Sequence, residues 1–283
     1  MKTLKKLLSN LKRSLLLPFS SFDAAIDIRD LLISQQTLHL QNSHPNPMNK
    51  FGKKYFSQSD EDGILLEIIK RLDIKNGFYI EFGVGNGLEN NTLILAAHGW
   101  SGVWIGGEDL AFNLSFNSKL LYIKTWITLQ NIIVSINKGL SFFNNKNIDL
   151  ISIDLDGNDF YFVEKILENK ISPRIFILEY NGAFPPPVEF KIDYDSDHKW
   201  ANDNYFGASL MSYSKLLSKF GYSLICCNSH TGANAFFVRN EYKKLFPEVP
   251  KDIRDIYVSP RYYLYKKYGH KMSAKVIEKL FQD

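Results

Sequence analysis

From Gln58 onward the chain alternates segments of helical period with segments of strand character. That alternation restricts the fold most, because a helix between successive strands returns the chain to the same sheet edge and makes neighbouring strands parallel. The spacing predicts a helix over 61–72, with Ile64, Leu65, Ile68, Ile69 and Leu72 on one face. A strand over 77–83 follows, then a helix through His98, strands near 102–106 and 120–126, a helix near 128–138 and a strand over 148–154. The series continues with a helix near 159–169, a strand over 174–180 and, after a long polar insertion, a helix over 209–220. The last two strands, Tyr222 to Cys227 and Asn234 to Arg239, have too short a connection for a crossover and must pair antiparallel. The expected fold is α/β: a doubly wound, mostly parallel sheet closed by an antiparallel hairpin.

Composition narrows the partners. No apolar run reaches the ~18 residues of a spanning helix, since Leu15-Leu16-Leu17 ends at Pro18. The two cysteines, Cys226 and Cys227, are sequence neighbours, which argues against an ordinary disulfide or a metal-ligand spacing and suits a reducing, cytoplasmic compartment. The net charge of +4 is unevenly spread: residues 1–22 hold five basic groups and no acid, residues 23–239 sum to −5, and residues 240–283 to +4. An acidic middle argues against DNA and leaves the basic ends for anionic partners. Leu4, Leu7, Leu8, Leu11 and Leu15 form one stripe of a basic amphipathic helix over 1–17. Such a helix suits the inner face of an anionic membrane, or docking on its own domain or on a second copy in a homo-oligomer. Residues 41–50, rich in Asn and Pro, are the expected linker, giving an extension over 1–50, a main domain over 51–240 and a basic, Tyr-rich tail over 241–283. In that tail Tyr257, Tyr262, Tyr263, Tyr265 and Tyr268 interleave with Arg261, Lys266 and Lys267, a surface able to grip phosphates or single-stranded RNA, or simply to pack as a helix.

The run Glu81-Phe82-Gly83-Val84-Gly85-Asn86-Gly87 lies between an apolar strand and a helical stretch. Glycines there permit a sharp turn and close approach of a ligand to the backbone at the carboxyl edge of the sheet. The Gly-x-Gly-x-Gly spacing lacks the extra residue that a pyrophosphate-binding Gly-x-Gly-x-x-Gly loop carries. The second strand ends in Gly106-Gly107-Glu108-Asp109, where an acid can accept both ribose hydroxyls of an adenosine.

The glycine motif, the terminal hairpin and the run from Asp149 to Asp159 resemble the S-adenosylmethionine-dependent methyltransferases of the FkbM type. So do Ser57-Gln58-Ser59-Asp60-Glu61-Asp62-Gly63, Ile177-Leu178-Glu179-Tyr180-Asn181 and the stretch from Asn228 to Val238. The resemblance covers roughly 55–240 and implies a seven-stranded, Rossmann-like class I methyltransferase fold with S-adenosylmethionine at the glycine loop. On that reading Glu81, Gly83, Val84, Gly85, Asn86, Gly87, Glu108, Asp109 and Asp154 form the cofactor site, and the product is an O-methylated sugar or related compound. The chain departs from the pattern at the second strand's end, where Gly106 stands and the acid, Glu108, comes two residues later.

Methyl transfer requires an oriented acceptor and removal of its proton. Asp154 and Asp156 end the fourth strand, and Glu179 and Asn181 the fifth, so parallel pairing brings them to one edge. Two arrangements fit: a carboxylate or His198 as general base, or Asp154, Asp156, Glu179 and Asn181 as oxygen ligands to Mg²⁺ or Mn²⁺. Asp159 fits equally well as a turn and helix-start residue. The insertion over 182–206, with Pro185-Pro186-Pro187, Asp193, Asp195, Asp197, His198 and Trp200, is the expected acceptor loop, Trp200 offering an aromatic face to a sugar ring. His230, in the hairpin turn, reads as structural. The expectation is methyl transfer to a hydroxyl of a saccharide, nucleotide-sugar or sugar-phosphate, nucleotide- or lipid-linked, as in surface-glycan synthesis. The rivals are a nicotinamide-dependent sugar oxidoreductase, which NAD binding would reveal, and a noncatalytic nucleotide-binding module, indifferent to loss of Asp154 and Asp156.

Overall fold

The computed structural model describes residues 24–114, 119–145 and 147–261, together with 274, 277, 278 and 281. The expected helix over 1–17 and most of the Tyr-rich tail lie outside the described residues. Seven strands form one sheet: β1 (Phe78–Phe82), β2 (Ser101–Gly106), β3 (Leu120–Lys124), β4 (Leu150–Ile153), β5 (Ile175–Glu179), β6 (Tyr222–Cys227) and β7 (Asn234–Arg239). Their order across the sheet is β3-β2-β1-β4-β5-β7-β6. The first five are parallel; β7 runs antiparallel between β5 and β6. The α/β, mostly parallel architecture with an antiparallel terminal hairpin is the one the periodicity implies.

The strands are buried on both faces, as parallel strands covered by helices must be. Ile80, Phe82 and Ile151 pack toward α4 (Ile132–Phe142), α5 (Asp159–Glu168) and α6 (Leu210–Lys219). Tyr79, Leu150 and Ile177, one residue out of phase, face the opposite layer with α2 (Glu61–Arg71) and α3 (Leu93–Ala97). No helix among the described residues is long and apolar enough to cross a membrane. Cys226 and Cys227 are free and buried.

Three expectations need correction. The helix after the glycine turn is only the five residues of α3, because the Glu81 carboxylate accepts from the backbone N–H groups of Asn91 and Thr92 and fixes the helix start there. Residues 41–50 are no linker. A helix, α1, runs over 24–43, and a 3₁₀ turn spans Pro47–Phe51. Asn46 and Asn49, fully buried, donate to the carbonyls of Ile225 and Cys227 on β6. Nor does the packed unit end at residue 240, since Phe246 is buried in the core on one face of the sheet and Ile256 and Val258 in the core on the other.

Candidate active site

The carboxyl ends of β1, β4 and β5 and the tip of the β6–β7 hairpin meet at one edge, as the sheet order requires. The turn after β1 begins with Gly83, whose φ is +83° and whose Cβ, were there one, would stand 1.5 Å from the carbonyl oxygen of Asp154. Only glycine permits that approach. Gly85, at φ +48°, has open space where a side chain would stand. Gly87 packs against Leu110 and Phe112 of the loop after β2, and the Asn86 carbonyl accepts from Ala111.

A cavity of about 130 Å³ opens on this turn, lined by Glu81, Gly83, Val84, Gly85, Asn86, Asp154 and, from outside the turn, Gln58, Glu89, Asn90, Asn91 and Asn234. It abuts a second cavity of about 750 Å³ through Gln58 and Asp154, which line both. The larger one is walled by Asp156 and Glu179 and, from the insertion, Ala183, Trp200, Asn202, Asp203, Asn204 and Phe206. Trp200 is 44% exposed, with its indole N–H held by the Asp203 carbonyl.

At the junction, one carboxylate oxygen from each of Asp154, Asp156 and Glu179 lies within 4.8 Å of the others. Asp154 and Glu179 lie side by side at the ends of the paired strands β4 and β5. Both are pushed well above the usual carboxylate range, first by burial and then by neighbouring negative charge: Asp156 and Asp159 for Asp154, Asp154 and Asp156 for Glu179. Asp156 is raised by burial and drawn partly back by His198. Its φ of +53° places it in the left-handed region, which Asp tolerates better than most residues. The His198 ring lies over Gly157, and its Nε2 is buried without a partner.

Glu81, 4% exposed, is raised from its ordinary 4.5 to about 7 by burial, against the opposing hydrogen bonds from Thr92 and Asn91. Asp159 closes the turn: its carboxylate accepts from the backbone N–H groups of Leu155 and Gly157, so it orders the segment carrying Asp154 and Asp156.

Three expected site residues stand elsewhere, and two more, Gly87 and His198, line neither cavity. Asn181 lines neither cavity. Fully buried, it donates to the carbonyls of Asn204 and Phe206 and accepts from Ala183, and so pins the insertion to the end of β5. Glu108 and Asp109 line neither cavity. Asp109 pairs at 2.6 Å with Lys124 in solvent, and the Glu108 carbonyl accepts from Tyr122.

Residue reasoning missed Gln58, Glu89, Asn90, Asn91 and Asn234 as lining residues. The signal for Gln58 and Asn234 lay in the polar runs 57–63 and 228–234, which the fold joins into one buried network. Asn228 donates to Ser59, Asp60, Glu61 and Thr231; Ser229 donates to Asp60; Asn234 donates to Glu61. His230 is structural, as expected: it sits 2.6 Å from the Thr37 hydroxyl of α1. Gln58 is the exposed member between buried Ser57 and Ser59, and it faces the cavities.

No family model matches the sequence, and no curated protein matches it. Solved structures align with part of this chain. One, from Nostoc punctiforme and provisionally assigned as an O-methyltransferase, is 13% identical with a TM-score of 0.36 over 61% of this chain; the match spans 55% of that protein's length. Another, cofactor-bound Rv0187 from MTB, is 11% identical with a TM-score of 0.38 over 74% of this chain and 89% of its own.

Proposed function

We propose that the protein is an S-adenosylmethionine-dependent O-methyltransferase of the FkbM type, acting on a saccharide hydroxyl. The observation that carries this reading is the junction of the two cavities at Asp154. The smaller cavity rests on a glycine turn with open space at Gly85, and the larger holds a carboxylate cluster facing Trp200. The donor set fits the cofactor. Glu81, Glu89 and the unpartnered Oδ1 of Asn234 accept hydrogen bonds, as the ammonium of an amino acid requires, and the turn's backbone admits close approach.

When bound, S-adenosylmethionine supplies a methyl carbon on a sulfonium, so the new C–O bond forms as the C–S bond breaks and its electrons return to sulfur. Trp200 and Asn204 hold the acceptor, and Asp156 takes the hydroxyl proton, its basicity raised by burial. Asp154 and Glu179 complete the acidic cluster beside it. His198 packs over Gly157 beside Asp156 and draws its pKa partly back from where burial alone would set it. Three hard oxygens within 4.8 Å also favour a second version, in which Asp154, Asp156 and Glu179 hold Mg²⁺ or Mn²⁺ and the ion acidifies the hydroxyl.

Calorimetry with S-adenosylhomocysteine tests the reading: binding to the full-length protein is expected, with none by NAD, and absence of S-adenosylhomocysteine binding overturns it. EDTA separates the two versions. Turnover lost to chelator and restored by Mg²⁺ or Mn²⁺ establishes the ion, and turnover indifferent to chelator leaves Asp156 as base.

A further inference from the structure

The ionisable side chains lining the two abutting cavities are all acids. Glu81 and Glu89 face the smaller one, Asp154 faces both, and Asp156, Glu179 and Asp203 face the larger. Among the described residues no Lys, Arg or His lines either cavity. Arg261, where the basic tail begins, is committed to the hairpin: its guanidinium donates to the Ser229 carbonyl and its backbone N–H to Thr231. Lys124 is held by Asp109. Among the described residues, then, no cation that could meet a phosphate stands in the walls.

A ligand rich in O–H donors satisfies carboxylate walls, whereas a phosphate or carboxylate brings more acceptors and like charge. Trp200 adds a half-open aromatic face, which suits the C–H face of a pyranose ring.

We propose that the acceptor is a saccharide whose bound part carries no anionic group, so that neutral and amino sugars enter the larger cavity and sugar phosphates and uronates are rejected. The proposal rests on reading that cavity as the acceptor site of a methyltransferase, and it narrows the acceptor classes the sequence alone leaves open. Like-charge repulsion inside a partly desolvated cleft sets the expected discrimination at about 100-fold or more.

The test is competition saturation-transfer NMR on the full-length protein, with and without S-adenosylhomocysteine, in EDTA and again in Mg²⁺. The probes are methyl glucoside, glucosamine, glucose 1-phosphate and glucuronate. Methyl glucoside and glucosamine should bind, and the two anions should bind about 100-fold more weakly in both buffers. Asp203→Asn keeps the oxygen that accepts from the Tyr205 backbone and removes a charge at the cavity wall; it should narrow the gap by about threefold. Trp200→Ala should weaken every saccharide alike. Preference for the phosphate or uronate in either buffer overturns the proposal, as does failure of all neutral and amino sugars to bind. Failure of S-adenosylhomocysteine alone would strike the methyltransferase reading, while the sugar selectivity would still be measured.

Discussion

Replacing Glu81 with glutamine should change how stability depends on pH more than it changes stability itself. The carboxylate lies 4% exposed at the end of β1 and is displaced from 4.5 to about 7, chiefly by burial. An acid whose folded pKa is raised binds more protons in the folded state than in the unfolded one across that interval. Folding therefore benefits below the unfolded value and loses the benefit as pH rises through about 4.5 to 7. Full ionisation across this displacement costs about 3 kcal/mol, of which roughly 2.5 kcal/mol falls between about pH 5 and pH 8. Glutamine does not titrate. It also presents an N–H₂ where the carboxylate accepts from Asn91 and Thr92, and that penalty is independent of pH. Urea denaturation at several pH values from about 5 to 8 separates the two effects. The variant should start less stable and gain on the wild type by roughly 2.5 kcal/mol, close to 1 M in midpoint for an m value of about 3 kcal/mol/M. Asp62 and Asp159, both raised to about 6 by burial, slope the same way in both proteins and cancel in the difference. Parallel curves would refute the reasoning, because they would mean that Glu81 ionises in the fold without penalty.

The two leading glycines of the turn should separate fold from binding. Gly83→Ala drives a methyl into the Asp154 carbonyl and should cost more than about 3 kcal/mol by chemical denaturation, whereas Gly85→Ala carries only the left-handed backbone penalty of about 1 kcal/mol and should instead weaken S-adenosylhomocysteine binding in calorimetry. Asn181→Ala removes two anchors of the acceptor loop and should cost about 2 kcal/mol while raising the acceptor KM more than it lowers kcat, the reverse of what a metal ligand would do. Gln58→Ala should leave stability within about 0.5 kcal/mol and reduce binding of S-adenosylhomocysteine or saccharide, since its side chain is exposed to both cavities; unaltered affinity for both would remove it from the site.

The strand and helix segments could be read from the sequence because period is a local property. Tyr222–Cys227 and Asn234–Arg239 fall where the alternation and the short turn put them, and the convergence of Asp154, Asp156 and Glu179 follows from parallel pairing alone. Glu179 and Asn181 illustrate where such reasoning stops. They lie two residues apart at one strand end, and both carry oxygen, so chemistry and spacing assign them the same ligand role. What separates them is the return of the insertion past β5, which leaves the carbonyls of Asn204 and Phe206 in need of donors that an amide has and a carboxylate lacks. Residues 41–50 were obscured by the same cause, because Asn and Pro mark a loop locally while Asn46 and Asn49 satisfy carbonyls about 180 residues away on β6. Buried backbone groups must find partners wherever the chain brings them. A polar side chain near a sheet edge therefore stays available for chemistry only if no backbone carbonyl or N–H, near or distant, claims it, and Asp156 and Gln58 are such residues here, as Asn181 and Asp159 are not.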